Sequence, residues 1–331
     1  MSHILLSAKM SSTQKVLLLG ATGATGSSIL DGLLETNQFD VEVLVRPGSV
    51  EKPSVQQIKN RGVPLRVADL NASEEELVST LQGIEILISA IGPHDLLQQK
   101  TLVRAAKSAG IKRFIPCAFI TIAPPQGTML LRDEKEIIYN EIKRLELPFT
   151  VIDVGYWHQI SFPCLPSGRV NYAALVPNTT IHGDGNAPNI LTDLRDIGRF
   201  VSRIIADDRT LNKYVYTWSD ILTENEILNI VEELSGEKIE TQYESVQEME
   251  KQLEDAQSSL SLDPTDPGKR TLVYITQYIY SKYVRQDNQP RYAKFLGYLD
   301  ARELYPDFKP ISFREFFTEV LDGKAKRPYG Y

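Results

Sequence analysis

The sequence predicts an α/β fold built on a doubly wound parallel sheet, with a second, smaller part of mixed α/β character. Three observations carry this. Through the first 155 residues, short β-type apolar runs alternate with amphipathic helical patterns. The first strand-to-helix junction, KVLLLGATGATGSSIL from Lys15 to Leu30, holds three glycines at three-residue intervals. After Gly155 the texture changes to loops rich in aromatic residues, proline and glycine, followed by charged helical stretches.

Val16 to Leu19 is uninterrupted apolar sequence, as suits a strand covered on both faces. SSILDGLLE then sets Ile29, Leu30, Leu33 and Leu34 at helical spacing. The glycines thus occupy the first turn of a Rossmann-type unit. Gly20 makes the tight turn, Gly23 admits a close backbone approach, and Gly26 lets the helix pack on the strand. N–H groups at the helix start, aided by its dipole, suit an anion such as a dinucleotide diphosphate. Gly20, Thr22, Gly23, Ala24, Thr25 and Gly26 are the candidate cradle. The spacing is G-x-x-G-x-x-G and no Lys-Ser/Thr follows, which excludes a P-loop; a plain packing turn is the alternative.

The next strand, VEVLVRP from Val41 to Pro47, ends in Arg46, near where NAD-specific folds carry an acid for the ribose hydroxyls. A guanidinium suits a 2′-phosphate, so NADPH is expected over NADH; otherwise Arg46 is a solvated strand-end residue. Lys52 and Lys59 are further candidates for that phosphate. VPLRVADL reads as the third strand, and SEEELVSTL as a helix capped by Ser73 with Glu76 three residues on. IEILISAIG reads as the fourth strand, DLLQQKTLVRAAKSAG as a helix closed by Gly110, KRFIPCAF as the fifth strand and LPFTVIDVG as the sixth. Such units imply right-handed crossovers and a ligand beyond the carboxyl ends of the strands. By position Ala90, Ile91, Gly92 and Phe119 face a cofactor.

Composition bounds the function classes. The chain of 331 residues is 42% hydrophobic and 24% charged, ordinary for a globular protein with a sizeable core. Its net charge of −7, without a long basic run, argues against a nucleic-acid groove. Cys117 and Cys164 make neither a disulfide framework nor a zinc pattern, so a reducing, cytoplasmic setting is expected and no metal. The opening MSHILLSAKMSS has an apolar patch of only Ile4 to Leu6, which reads as a tail rather than a leader. No stretch reaches the roughly 18 apolar residues of a membrane span.

GATGATG, VLVRP, GVPLRVADL, GIEILISAIG, QKTLVRAAKSAGIKRFIPCAF, LPFTVIDVGYW and TDLRDIGRFVSRII, with NEILNIVEELSGEKIE, together resemble the isoflavone reductase-like, or NmrA-like, branch of the atypical short-chain dehydrogenases. The resemblance runs from about Lys15 to Ser245 and thins to a final ELYPDFKPISFREFF. It implies a Rossmann-type fold, NADPH dependence and a functional lysine on the helix after strand five. DEKEIIYNEIKRLELPFTVI puts Lys135 in that register. The implied role is to assist proton transfer or polarise an oxygen beside the nicotinamide. Lys135 near a helix start opposes the dipole; read without the resemblance, it is better taken as a solvated lysine in RDEKE. The plant members carry a Pro-Ser-Glu-Phe-Gly type segment where this chain has Pro116, Cys117, Ala118, Phe119 and Ile120, and the loop ITIAPPQGTMLLR is distinct. That departure sets the plant substrates aside.

Tyr139 and Lys143 form a Tyr-x-x-x-Lys pattern on the same helix. Tyr139 lies 11 residues before Thr150, about one to two turns too far from the strand ends at roughly 5.4 Å per turn. We therefore do not assign it the proton-donor role, although it shares a helix face with Lys135.

Tyr156, Trp157 and His158 follow the sixth strand directly and, with His94 and Met129, are the substrate-side candidates. Core packing for Trp157 and a satisfied structural role for His158 are the alternatives. His3 and His182 carry no signal. LTDLRDIGRFVSRIIADD predicts a helix starting near Asp196 with Ile197, Phe200, Val201, Ile204 and Ile205 as its stripe, and NKYVYTW a strand returning to the sheet. TENEILNIVEELSGE reads as a helix capped by Thr223 or Asn225, and TLVYITQYIYSKYV as a substrate-side helix. The expected division is 1–155, with returning segments at about 190–217, for the NADP-binding domain, and 156–189 with 218–331 for substrate. The expected partner is a small molecule, with no nucleic acid and no membrane; the oligomeric state is left open. The expected function is an NADPH-dependent reductase of a small aromatic or conjugated compound. An NADP-binding sensor without turnover, or net dehydration or isomerisation on the same fold, are the alternatives.

Overall fold

The computed structural model describes residues 13–175 and 179–329. The expected N-terminal tail and His3 lie outside the described residues.

The first five strands are β1 (Gln14–Leu19), β2 (Phe39–Val45), β3 (Leu65–Val67), β4 (Ile86–Ser89) and β5 (Arg113–Ile115). They pair in the order β3-β2-β1-β4-β5, all parallel, with Val16 opposite both Val41 and Ile86. The helices between them are α1 (Ala24–Thr36), α2 (Pro53–Asn60), α3 (Glu74–Leu81) and α4 (Gln99–Ser108). A 3-10 turn over Pro93–Gln98 precedes α4, because Gly92-Pro93 delays regular helix. Alternate residues of β1 serve opposite faces. Val16 and Leu18 join Ile29, Leu33, Phe200 and Val201, whereas Leu17 and Leu19 join Leu77, Leu102 and Ile138. This two-sided burial is why the strand reads as unbroken apolar sequence.

After α5 (Leu130–Arg144), β6 (Thr150–Asp153) extends the array: the Phe114 N–H donates to the Pro148 carbonyl over 2.8 Å, beside a parallel bridge between Phe114 and Phe149. The next elements are β7 (Tyr156–Trp157), β8 (Thr180–His182), β9 (Asn189–Thr192), α6 (Leu194–Ala206) and β10 (Lys213–Tyr216). β10 returns to pair in parallel with β6, as its sequence predicts. Asp193 caps α6; Asp196 falls in its first turn, so the start lies earlier than expected.

The remaining elements are β11 (Asp220–Leu222), α7 (Glu224–Ser235), β12 (Gln242–Glu244), α8 (Val246–Leu262), α9 (Pro267–Ile279), α10 (Pro290–Phe295), β13 (Leu299–Asp300), α11 (Ala301–Leu304) and α12 (Phe313–Leu321). β13 also pairs with β10, a return that two residues are too short to announce in sequence. β7, β9 and β11 form a small mixed sheet, and β8 pairs with β12. A cluster of Phe162, Leu165, Val231, Phe313 and Phe317 holds α7 and α12 to this smaller part. α7 begins with a capping box from Thr223 and Glu226, so Thr223 rather than Asn225 is its cap. α9 docks on α5: Gln277 Oε1 accepts from the Leu130 N–H at 2.7 Å, and the Tyr274 hydroxyl donates to Glu134 at 2.8 Å.

Candidate active site

The strand order reverses beside β1, between β2 and β4, and the glycine turn sits at that switch point. Gly20 has φ +78°, and a Cβ there would stand 2.3 Å from the Ala90 carbonyl oxygen. A Cβ on Gly26 would stand 2.0 Å from the Gly20 carbonyl oxygen. Both are required by packing within the turn. Gly23 differs: a Cβ there would meet only the Gly20 oxygen at 3.5 Å. The space outside it is open. No side chain caps α1, and no acid occupies its first turn. An uncapped, acid-free helix start beyond an open glycine fits a diphosphate.

The chain after β5 forms the adjoining wall. Phe119 adopts φ +52°, a conformation a bulky residue takes only when its surroundings impose it. Its N–H donates to the Ile152 carbonyl at 2.9 Å, and Val154 and Gly155 donate to the Ile120 carbonyl, so the loop runs along β6. Gln99, fully buried, accepts from the Cys117 N–H at 3.0 Å, and the Cys117 thiol lies 3.1 Å from the Ile91 carbonyl oxygen.

Lys135, in the second turn of α5, points into this corner and is only 3% exposed. Its Nζ donates to the Cys117 carbonyl oxygen at 2.8 Å. A buried network locks α5 to β6: Arg132 donates to Asp153 at 3.1 Å and to the Tyr298 hydroxyl at 2.9 Å, and Tyr298 donates to Asp153 at 2.6 Å. Burial pushes the Asp153 carboxyl up, against the pull of the Arg132 guanidinium.

These walls enclose a cavity of about 630 Å³, with Thr25, Ala90, Ile91, Phe119, Lys135, Tyr156 and Trp157 among the residues on its walls. Seven residues expected at the site from sequence are thereby brought together. Met129 is fully buried at the start of α5 but not on the cavity wall; Leu131 takes that place. His94 is exposed beyond Pro93, outside the cavity. Arg46 is 60% exposed and lies 3.6 Å from Asp95. Lys59 is in the last turn of α2, at the end away from the carboxyl edge of the sheet, whereas Lys52 caps its start.

His158 is enclosed elsewhere. It lies between Asp193 and Asp220, at 3.9 and 3.5 Å, and against the rings of Phe313 and Phe316. Burial pushes its pKa down to about 4, so it is a neutral core residue. Tyr139 is likewise buried, edge-on to Tyr214 and away from the cavity, while Lys143 rests over the Tyr214 ring. Their spacing brings no joint site.

The cavity also gathers residues the sequence did not single out: Tyr278, Lys282, Tyr283, Glu224 and His182. His182, without signal in the sequence, pairs with Glu224 at 2.8 Å and stacks on Tyr283 at 4.3 Å. Of these, Tyr278, Lys282 and Tyr283 fall in TLVYITQYIYSKYV, the segment expected to be a substrate-side helix. Among the described residues, no group of three or more His, Cys, Asp or Glu side chains could hold a metal ion, and no helix is long and apolar enough to cross a membrane.

This fold and site define a Rossmann-type oxidoreductase. A sequence profile of the NmrA-like family matches residues 12–317, and the chain belongs to that family. Asnovolin J 5′,6′-dehydrogenase of Aspergillus novofumigatus is 40% identical over 315 residues, covering 94% of this chain and 96% of the relative. An isoflavone reductase-like protein of Olea europaea is 26% identical, covering 94% of this chain and all of the relative. Among solved structures, the leucoanthocyanidin reductase–NADPH complex of Vitis vinifera superposes with a TM-score of 0.78 at 23% identity, over 93% of this chain and 99% of that one.

Proposed function

We propose that this chain is an NADPH-dependent reductase of a small aromatic or conjugated compound of specialised metabolism. The observation that carries the reading is Lys135, a buried ammonium in the wall of an aromatic cavity that opens from the glycine turn. NADPH, when bound, supplies the hydride. Backbone N–H groups of Thr22, Ala24, Thr25 and Gly26 would hold the diphosphate, the Gly23 N–H being engaged by the Gly20 carbonyl at 3.0 Å, and Arg46 would exchange Asp95 for the 2′-phosphate. Ala90, Ile91, Gly92 and Phe119 line the path to the cavity. Phe119, Tyr156, Trp157 and Tyr278 exclude water there. Lys135 Nζ stabilises the negative charge that develops on a substrate oxygen and delivers a proton to it, directly or through water. Residues 1–155 and about 190–217 serve the cofactor; 156–189 and 218–331 serve the substrate.

One observation favours the opposite direction: the 40% identical relative is named a dehydrogenase. The same groups serve both directions by microscopic reversibility. The test is NADPH oxidation with a panel of conjugated ketones, alongside NADP+ reduction with their saturated counterparts. Lys135→Ala should bind NADPH and lose turnover; unchanged turnover overturns the lysine's role. NADPH binding with no turnover in either direction favours the sensor reading.

A further inference from the structure

Lys282 is the second buried ammonium of the cavity, 4% exposed. It sits in a π-helical turn, Tyr280–Val284, that continues α9. The Arg285 N–H reaches back to the Tyr280 carbonyl at 3.0 Å, and the Ser281 hydroxyl donates to Asp287 at 2.9 Å, which closes and holds the widened turn. Such turns cost regular hydrogen bonding and recur at functional sites. Here the turn presents Lys282 and Tyr283, adjacent in sequence, to one wall.

The surroundings of Lys282 Nζ are almost wholly neutral. It donates to the Tyr283 hydroxyl at 3.0 Å, lies 3.3 Å from the centre of the Tyr156 ring, and lies 4.5 Å from that of Tyr283. Among the described residues no carboxylate comes within 4.0 Å of it. Glu224 acts on it through space; its oxygens take the His182 ring at 2.8 Å and the His182 backbone N–H at 2.8 Å, and it also hydrogen-bonds Tyr283. An ammonium has three donors, of which one has a hydrogen-bond partner among the described residues. A buried cation without a counter-ion is costly and invites one.

We propose that Lys282 is a substrate-recognition cation, and that the substrate carries an anionic oxygen, a carboxylate or an ionised enol, which the ammonium binds between Tyr156 and Tyr283. This rests on reading the cavity as the substrate chamber. Lys135 belongs to the wall made by α5 and residues 116–120, Lys282 to the wall made by β7, β8 and the π turn. The substrate is thus polar at two places and apolar between them. Burial lowers the Lys282 pKa to about 7, with Glu224 opposing. The other titratable groups on this wall are Tyr156, Tyr278, Tyr283 and His182, with Glu244 3.6 Å behind His182. Only the protonated lysine attracts the anion, so affinity for it is highest below pH 7 and falls as pH rises through that value.

The test uses two probes of one shape, 2-naphthoate and neutral 2-acetylnaphthalene, titrated calorimetrically into the NADP+-saturated protein. Wild type should prefer the naphthoate. Lys282→Met should weaken naphthoate roughly tenfold or more, and abolish its pH dependence, while sparing 2-acetylnaphthalene and NADPH binding. Lys282→Arg should restore part of the affinity. Equal naphthoate binding by wild type and Lys282→Met, or a wild-type preference for the neutral probe, overturns the proposal. Failure of wild type to bind NADPH would instead overturn the cofactor reading, and the same titrations without NADP+ still decide the role of Lys282.

Discussion

Lys135 donates to the Cys117 carbonyl oxygen over 2.8 Å, tying the second turn of α5 to the loop that follows β5. The same Nζ lies 3.9 Å from the Cys117 sulfur, and its remaining donor capacity is available to a ligand. The bond also fixes where the ammonium points. We expect Lys135→Met to fold as wild type does and to bind NADPH unchanged. Turnover should fall by about 100- to 10,000-fold, the range for loss of a positioned proton donor. Steady-state kinetics beside a calorimetric NADPH titration checks this; a loss confined to KM would contradict it.

The three glycines should separate by phenotype. Gly26→Ala places a methyl 2.0 Å from a backbone oxygen and should cost about 1–3 kcal/mol of stability, seen as a lower denaturation midpoint. Gly23→Ala has internal room and should change stability by no more than about 0.5 kcal/mol. It should nevertheless weaken NADPH by at least about tenfold, because its methyl enters the space of the diphosphate. Equal affinity in Gly23→Ala and wild type would show that nothing docks there.

Arg46 is exposed, and its pairing with Asp95 is worth little in water. Arg46→Ala should leave the melting temperature unchanged. It should weaken NADPH by about 10- to 100-fold and NADH hardly at all. Parallel loss for both nucleotides would assign Arg46 to something other than the 2′-phosphate.

His158 carries a pH signature of stability. Its folded pKa is about 4 against 6.5 for an ordinary histidine, so between those values the unfolded chain binds a proton that the folded one refuses. Stability from this residue is complete above pH 6.5 and is lost as pH falls toward 4, by up to about 3 kcal/mol. Asp196, pushed up to about 6 mainly by burial, works the other way as pH falls from 6 to 3.8. Subtracting the unfolding free energy of His158→Gln cancels Asp196. The wild-type advantage should shrink as pH drops; a flat difference would refute the neutral, buried histidine.

Arg132 has two buried dependents, Asp153 and Tyr298. Arg132→Met removes the cation paired with the buried Asp153 carboxylate, leaving it the Tyr298 hydroxyl, and should cost roughly 3–5 kcal/mol in chemical denaturation. A cost below 1 kcal/mol would mean that water reaches the network and relieves it.

The family resemblance, not the residues alone, supplied the register of Lys135; the sequence by itself determined the parallel sheet and the glycine turn. Those are local properties: a strand buried on both faces must be apolar throughout, as Val16 to Leu19 is, and a turn must use glycine where a Cβ would strike backbone, as at Gly20 and Gly26. It also carried the return of Lys213 to Tyr216 to the sheet, NKYVYTW reading as a strand. Tertiary structure alone decided which residues share the chamber. His158 and Tyr156 are two positions apart, yet one is sealed between Asp193 and Phe313 and the other faces the cavity, because the chain bends into a 3-10 turn after Trp157. Lys282, Glu224 and His182 come from three separate segments and meet only through the packing of the smaller part, joined by a π turn that no period in the sequence announces. A buried charge is chosen by its whole environment, and that environment is assembled from residues far apart in the chain.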